Sequence, residues 1–304
     1  MKGPLNIGVI GTDTSHSTAF TELLNNPGHA FHVPGGRVIS AYAGGSEDFD
    51  LSRTRVGQFA DKLQTLYGVK MRTQPEQVAE EADAILLLAA DGRLHKEMFE
   101  RIARFPKPVF IDKPFAVSYS DAKAMADMAS EAGIPIMSSS ALRFEKTLTD
   151  ELQRSEGGGI TGAACYGPMA MESTQKGYFW YGIHSIEMLY TIMGTGCRYV
   201  YATSTSEPGN EEIIVAEWDH GKLGTVRGSR FAGTPFAALI HREEKHVFVD
   251  IAAGSKPFYA SLLEQVMTFF RGESHPLDIS ITLEIMRFIE AANESRATGQ
   301  KVSL

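Results

Sequence analysis

The sequence predicts an α/β fold, with a doubly wound parallel sheet first and then an α+β domain whose open sheet is mostly antiparallel. Three observations predict it. The chain opens on a strand, a glycine turn and a helix. Strand and helix patterns then alternate six times in about 138 residues, the signature of a parallel sheet wound on both faces. From the glycine run Gly157-Gly158-Gly159 to about residue 253 the pattern changes to strands, and two amphipathic helices close the chain.

The first unit carries the strongest signal. Ile7-Gly8-Val9-Ile10-Gly11 is an apolar strand, and Ser17–Leu24 reads as a helix. That geometry sets helical N–H groups against a dinucleotide pyrophosphate. The full fingerprint has glycine at three places; here Gly11 fills the first, Asp13 stands at the second and His16 at the third. A carboxylate about 4–5 Å from a phosphate costs about 1 kcal/mol in water-like surroundings and about 4 at an intermediate dielectric. Thr12, Thr14, Ser15 and a protonated His16 offer compensating donors, and the helix N-terminus favours an anion. Alternatively Asp13 turns inward and caps the helix. The expectation is a dinucleotide bound across Gly11–His16 and Ala89–Asp91 with altered geometry.

The remaining elements follow in order. Val38–Ala43 is a second strand, closed by Gly44 and Gly45. Residues 53–67 repeat apolar side chains at helical spacing and stop at Gly68. Val69–Arg72 is a short edge strand, Pro75 starts a short helix, and Ala84–Leu88 is a strand of the fully buried parallel kind. Residues 94–104 are helical, Val109–Ile111 is buried strand, and Ser118 with Asp121 caps a helix that Gly133 and Pro135 end. Ile134–Met137 returns as strand, which puts the boundary between a domain at 1–139 and another at 140–304. In the second, strands are expected at 199–203, 213–218, 223–227 and 246–251, with a hairpin turn at 219–222. An aromatic helix at 178–193 interrupts them, and helices at 258–271 and 281–297 finish the domain.

Composition limits the function. The 304 residues are 43% hydrophobic and 22% charged, with a formal net charge of −8, which suits an ordinary globular chain. No apolar run approaches the roughly 20 residues a bilayer needs. No basic cluster points to nucleic acid or an anionic membrane. The first strand begins at once, so no signal peptide is expected, and the two cysteines, Cys165 and Cys197, read as reduced thiols. A cytoplasmic protein handling a small molecule is expected. No histidine spacing suggests a metal site, and no Gly-x-Ser-x-Gly elbow suggests a serine nucleophile.

The order of these pieces resembles the Gfo/Idh/MocA oxidoreductases, the glucose–fructose oxidoreductase and inositol dehydrogenase type, over nearly the whole chain. Phe110-Ile111-Asp112-Lys113-Pro114 is similar to that family's strand-end Glu-Lys-Pro motif, with Asp for Glu. In Ala89–His95 only His95 fits the Thr-Pro-x-x-x-His loop. Leu142-Arg143-Phe144 resembles the crossing into the second domain. Trp180-Tyr181-Gly182-Ile183-His184 occupies the place of an Asp-x-Gly-x-His helix, with Trp for Asp.

The resemblance implies a Rossmann domain binding NAD or NADP. It implies hydride transfer to or from a secondary alcohol of a sugar or cyclitol, with Lys113 and His184 beside the reacting carbon. It also implies association through the open sheet as a homodimer or homotetramer. Gly11, Thr12, Asp13, Thr14, Ser15, His16, Gly44, Ala90, Asp91, His95 and Lys113 become the expected cofactor contacts, and Arg143, Tyr178, Trp180 and Tyr181 the expected substrate contacts.

The residues carry their own readings. Lys113 follows a buried parallel strand at the ligand-binding edge, where a partly desolvated amine can take a proton; otherwise it is a surface lysine before a turn. His184 suits proton exchange near neutrality, or is a hydrogen-bonded core histidine. Trp180 has one donor and no acceptor, so it cannot replace a carboxylate, but it can stack on a sugar ring. The run Tyr178–Tyr181 is a pocket wall or core packing. Glu172 and Glu187 are the carboxylates able to compensate. Two alternatives stay open: a tightly held cofactor used for transient oxidation in a lyase, glycosidase or epimerase, and a non-catalytic ligand-binding or scaffold protein.

Overall fold

The computed structural model describes residues 3–205, 210–231 and 233–304. They divide into two compact units. The first holds the chain up to Ser139 together with Tyr259–Thr282, and the second holds Ser140–Phe258 with Leu283–Leu304.

In the first unit, β1 (Leu5–Ile10), β2 (Gly36–Tyr42), β3 (Lys70–Arg72), β4 (Ala84–Leu87), β5 (Val109–Ile111) and β6 (Ile136–Met137) form one sheet in the order β3-β2-β1-β4-β5-β6. Every pairing is parallel. β4 and β5 are buried along their whole length, which is why they read as unbroken apolar runs. The strand order reverses between β1 and β4, and the crevice beyond that point is where doubly wound sheets take ligands.

Helices α1 (Ser15–Asn25), α2 (Asp50–Tyr67), α3 (Pro75–Glu81), α4 (His95–Ile102) and α5 (Tyr119–Glu131) connect these strands. The Ser118 hydroxyl accepts the Asp121 N–H at the start of α5, as the capping pattern predicts. Residues 259–282 return to this unit for physical reasons. Helix α8 (Phe258–Phe270) buries Leu262, Leu263, Val266 and Met267. Arg271 donates to the Gly35 carbonyl at 2.7 Å, and Thr282 to that of Ser138 at 3.2 Å.

The second unit contains α6 (Lys146–Leu152), β7 (Ile160–Pro168), α7 (Gly182–Met193), β8 (Cys197–Ser204), β9 (Glu211–Trp218), β10 (Leu223–Ser229), β11 (Ala237–Arg242), β12 (His246–Asp250) and β13 (Val302–Ser303). Helix α9 (Ile279–Thr298) supplies its C-terminal part. The sheet order is β12-β11-β7-β10-β9-β8-β13. β7 and β10 run parallel and the other pairings are antiparallel.

Three of these strands, β7, β11 and β13, lie outside the expected set. β7 is Ile-Thr-Gly-Ala-Ala-Cys-Tyr-Gly-Pro, too small and glycine-rich to show strand alternation. Its conformation comes from central pairing with β10 and β11. The expected aromatic helix at 178–193 is also divided. Gly177–Phe179 is a separate 3₁₀ turn, and α7 starts at Gly182. Residues 206–209, inside the stretch expected to form the assembly face, lie outside the described residues.

Both cysteines are buried and unbridged. Among the described residues, no helix is long and apolar enough to cross a membrane, and no three His, Cys, Asp or Glu side chains gather where a metal ion could sit.

Candidate functional site

The first unit presents its candidate residues on the loops that leave β1, β2, β4 and β5. Gly11 has φ +92°, and a Cβ there would stand 2.4 Å from the Ala89 backbone nitrogen. Only glycine lets the β1 turn press this closely on the end of β4. Thr12 is fully buried and donates its hydroxyl to the Val56 carbonyl at 3.1 Å, so it braces the turn from within. Thr14 is the N-cap of α1: its Oγ1 accepts the His16 N–H at 3.2 Å. Ser15 is exposed beside it. Gly44, with φ +63°, turns the chain as it leaves β2.

Asp13 turns inward, but it does not cap α1. It is fully buried, and its Oδ1 accepts the Ala90 N–H at 3.0 Å, tying the β1 loop to the β4 loop. Burial pushes its carboxyl above the usual carboxylate range, against the opposing pull of hydrogen bonds from Ser52 and from the Ala90 amide. The carboxyl is thereby turned from the start of α1 toward the loop that follows β4. Because the folded value lies above the unfolded one, the stability Asp13 contributes at acid pH is lost as pH rises through the folded value. Asp13→Asn keeps the shape and cannot ionise. Its melting temperature relative to the parent protein is therefore expected to rise as pH increases above about 4, the unfolded carboxyl value. A scan showing the opposite trend would mean that the ionised carboxylate has a favourable partner.

Asp91 is also fully buried. It accepts from the Ser46 hydroxyl at 2.6 Å and from Arg93 Nη2 at 2.6 Å, and Arg93 reaches on to Asp48 at 2.7 Å. The two carboxylates hold the Arg93 guanidinium well above its ordinary range and link the loops that follow β2 and β4. His95 is another of the expected cofactor contacts. The ring is fully buried, with Nε2 2.9 Å from the Ala89 carbonyl and Nδ1 2.9 Å from that of Pro114. Both nitrogens are occupied by backbone, so His95 pins the ends of β4 and β5 together.

Lys113 follows β5 directly and is half-buried. Burial holds its ammonium below the ordinary lysine range, and the neighbouring Asp112 carboxylate pulls in the other direction. Asp112 in turn accepts the Lys113 backbone N–H at 2.7 Å and makes a very short contact with His16 Nδ1. Burial alone would push the Asp112 carboxyl up. The charge and hydrogen bond of His16, with Lys113 adding to them, bring it below the usual range instead. The His16 ring therefore points to the end of β5.

In the second unit, His184 stands in the first turn of α7 with Nδ1 2.8 Å from the Ser140 hydroxyl. Its ring meets Tyr181 edge-on at 5.2 Å and Phe236 at 5.7 Å, and Tyr181 lies 6.4 Å from Trp180. Trp180, Tyr181 and His184 are half-buried and form one group.

Two expected substrate contacts, Tyr178 and Arg143, are buried and paired within this unit. Tyr178 is fully buried and donates to Glu212 at 2.9 Å; Arg230 and Arg296 engage the same carboxylate. Arg143 is buried, and its Nε donates to Glu187 at 2.7 Å. Glu187 also accepts the Ser140 N–H at 3.4 Å, so this carboxylate supports the segment that carries the His184 partner. Sequence reasoning missed Ser140 and Tyr259, whose partners His184 and His16 lie 44 and 243 residues away along the chain.

Residues 5–139 match the model of an oxidoreductase family with an NAD-binding Rossmann fold, GFO_IDH_MocA. An uncharacterized oxidoreductase of Streptococcus pneumoniae serotype 4 is 29% identical over 87 residues; that match spans 28% of this chain and 23% of the relative's length. Solved structures match over nearly the whole chain. The myo-inositol dehydrogenase of Lactobacillus casei, in complex with NAD(H) and myo-inositol, superposes with a TM-score of 0.78 at 14% identity, covering 99% of this chain and 97% of that one. The WlbA dehydrogenase of Bordetella pertussis, in complex with NADH and UDP-GlcNAcA, gives 0.78 at 16% identity, covering 99% of each. The apo scyllo-inositol dehydrogenase of Lactobacillus casei gives 0.80 at 14% identity, covering 100% of this chain and 99% of that one. At these identities the likeness is one of fold.

Proposed function

We propose that this chain, whose residues 5–139 match the model of an oxidoreductase family with an NAD-binding Rossmann fold, is an NAD-dependent dehydrogenase acting on a secondary alcohol of a sugar or cyclitol. The observation that carries the reading is Lys113, a half-buried amine at the carboxyl end of β5 whose charged form is disfavoured by burial. When bound, the nicotinamide accepts or returns hydride. The protein has to manage the proton. Lys113 takes it from the substrate hydroxyl, or polarises the oxygen in the reverse direction. His184, oriented by Ser140, is the second proton-exchanging group. Trp180 and Tyr181 offer aromatic faces to a sugar ring.

Gly11, Thr14, Ser15 and the start of α1 are assigned to the pyrophosphate, and Gly44 to the ribose side. The proposal prefers NAD to NADP, because Asp48 and Asp91 already engage Arg93 at the loops where a 2′-phosphate would need a free cation. Titration of the purified protein is expected to show binding of NAD in the micromolar to millimolar range and at least tenfold weaker binding of NADP, followed by fluorescence or melting temperature. Equal affinities would remove the preference, and no response to either at millimolar concentration would remove the dehydrogenase reading. Assay with cyclitols and free or nucleotide-linked sugars then tests the substrate class. If denaturation releases stoichiometric nucleotide, the retained-cofactor alternative takes its place.

The same reading places the protein in the cytoplasm as a homodimer or homotetramer joined through the second sheet. The face turned from α7 carries Tyr201, Ile213, Leu223 and Phe248, which are 40%, 40%, 57% and 64% exposed. Large apolar side chains gathered on one sheet face are poorly covered by water. Light scattering at micromolar concentration is expected to give at least twice the 33.2 kDa chain mass; a monomer would overturn this assembly.

A further inference from the structure

Two histidines face each other across the last hairpin of the second unit. β12 stands at the end of its sheet and pairs with β11. The Arg242 N–H closes the turn between them by donating to the Lys245 carbonyl at 2.8 Å, with Glu243 and Glu244 in the middle. That turn sets the register, and His241 stands directly opposite His246. Arg242 and Lys245 are hydrogen-bonded, so the next pair along the ladder, His241 and His246, is a non-hydrogen-bonded one, in which side chains approach most closely. The two Nδ1 atoms are 3.2 Å apart, and the rings meet edge-on with centroids 4.8 Å apart. A five-residue separation gives no sign of this pairing in the sequence; the hairpin register creates it.

The pair is held in place and open to solvent. The Glu243 N–H donates to the Gly159 carbonyl at 3.1 Å, the Gly159 N–H to the Glu243 carboxylate at 3.0 Å, and the Glu244 N–H to the Gly157 carbonyl at 3.1 Å. The two cations beside the pair are engaged elsewhere. Arg242 is buried and donates to the Gly158 and Glu151 carbonyls, each at 3.1 Å, and Lys245 lies 3.6 Å from Glu156. His246 is exposed and His241 half-buried. We propose that His241 and His246 form a bidentate site for a divalent transition-metal ion of the zinc class, held by both Nδ1 atoms and completed by water, and that the ion clips β12 to β11. Zinc–nitrogen bonds of about 2.0–2.1 Å at a tetrahedral angle set two ligand nitrogens about 3.3 Å apart. The two Nδ1 atoms already stand at nearly that distance. Protons balance without loss. In the neutral pair one Nδ1–H donates to the other Nδ1; moving that proton to Nε2 of its own ring frees both Nδ1 lone pairs for the ion. Imidazole suits zinc, copper and nickel, whereas magnesium and calcium seek oxygen. The site lies in the second unit and is independent of the dehydrogenase reading.

Zinc ion alone, titrated into the protein labelled with ¹³Cε1-histidine, tests the site. The resonances of His241 and His246, assigned from His241→Ala and His246→Ala, are expected to move together and saturate at one ion per chain. Magnesium is expected to move neither. The clip has its own readout. The ladder alternation makes Ile240 with Val247, and Ala238 with Val249, the hydrogen-bonded pairs. Hydrogen exchange at the Val247 and Val249 amides is therefore expected to slow at least about threefold in saturating zinc. His246→Ala is expected to weaken binding at least about tenfold and to abolish that protection. If His246→Ala loosens β12 by itself, His246→Phe keeps a ring opposite His241 without a lone pair and is expected to lose zinc equally. No saturable response by about 1 mM zinc, an affinity of about −4 kcal/mol, overturns the proposal. So does undiminished binding in the His246 variants, or binding that leaves exchange in β12 unchanged.

Discussion

Lys113→Met is expected to lower turnover about 10²–10⁴-fold while leaving the melting temperature nearly unchanged. Methionine keeps most of the length and apolar stem of lysine, so little packing is lost, whereas the amine that takes the proton is gone. The effect should fall on kcat and kcat/KM together, because proton removal belongs to the transition state. The pH dependence of the parent protein has a defined sign. In the oxidising direction the active form is the free amine, so kcat/KM rises with pH through the Lys113 value. Burial places that rise below the range of an ordinary lysine. Steady-state kinetics across pH, with circular dichroism on the same samples, checks both points. Full activity of the variant would remove Lys113 as the base.

Glu187→Ala is expected to cost about 3–5 kcal/mol of stability, the usual loss when one partner of a buried ion pair is removed. Arg143 is 8% exposed and Glu187 is 2% exposed, so deletion of the carboxylate leaves a guanidinium enclosed without its anion. The Ser140 N–H loses its acceptor at the same time. Ser140 holds His184, so loss of order at the first turn of α7 should accompany the loss of stability. Urea denaturation gives the magnitude. The double variant Arg143→Met with Glu187→Ala is expected to be more stable than Glu187→Ala alone, since the stranded charge is gone. A single variant as stable as the parent protein would show that water reaches Arg143.

The local parts of this account were legible in the sequence because their causes are local. The capped helix at Ser118 needs only neighbouring residues, and β4 is marked by its own apolar run. By contrast, β7 was invisible. Gly162, Ala163 and Ala164 have no strand preference of their own, and their extended form is imposed by β10 and β11. Tyr178 and Trp180 show the same limit at the site. They stand two residues apart in one aromatic run, yet Tyr178 is buried against Glu212 and Trp180 remains half-buried near Tyr181. Composition cannot separate them, because the break before Gly182 decides which ring turns inward.

The sequence by itself determined the parallel sheet, the glycine turn after β1, the family resemblance and the position of Lys113 at a strand end. Each is a periodicity or a short motif, written in residues that are neighbours along the chain. Only the tertiary structure decided what the two substituted fingerprint positions do. Asp13 is drawn inward by an amide 77 residues away, and His16 is held by a carboxylate 96 residues away and a hydroxyl 243 residues away. Charges and hydrogen bonds act through space, so the state of a buried acid or imidazole depends on partners that no spacing in the sequence reveals.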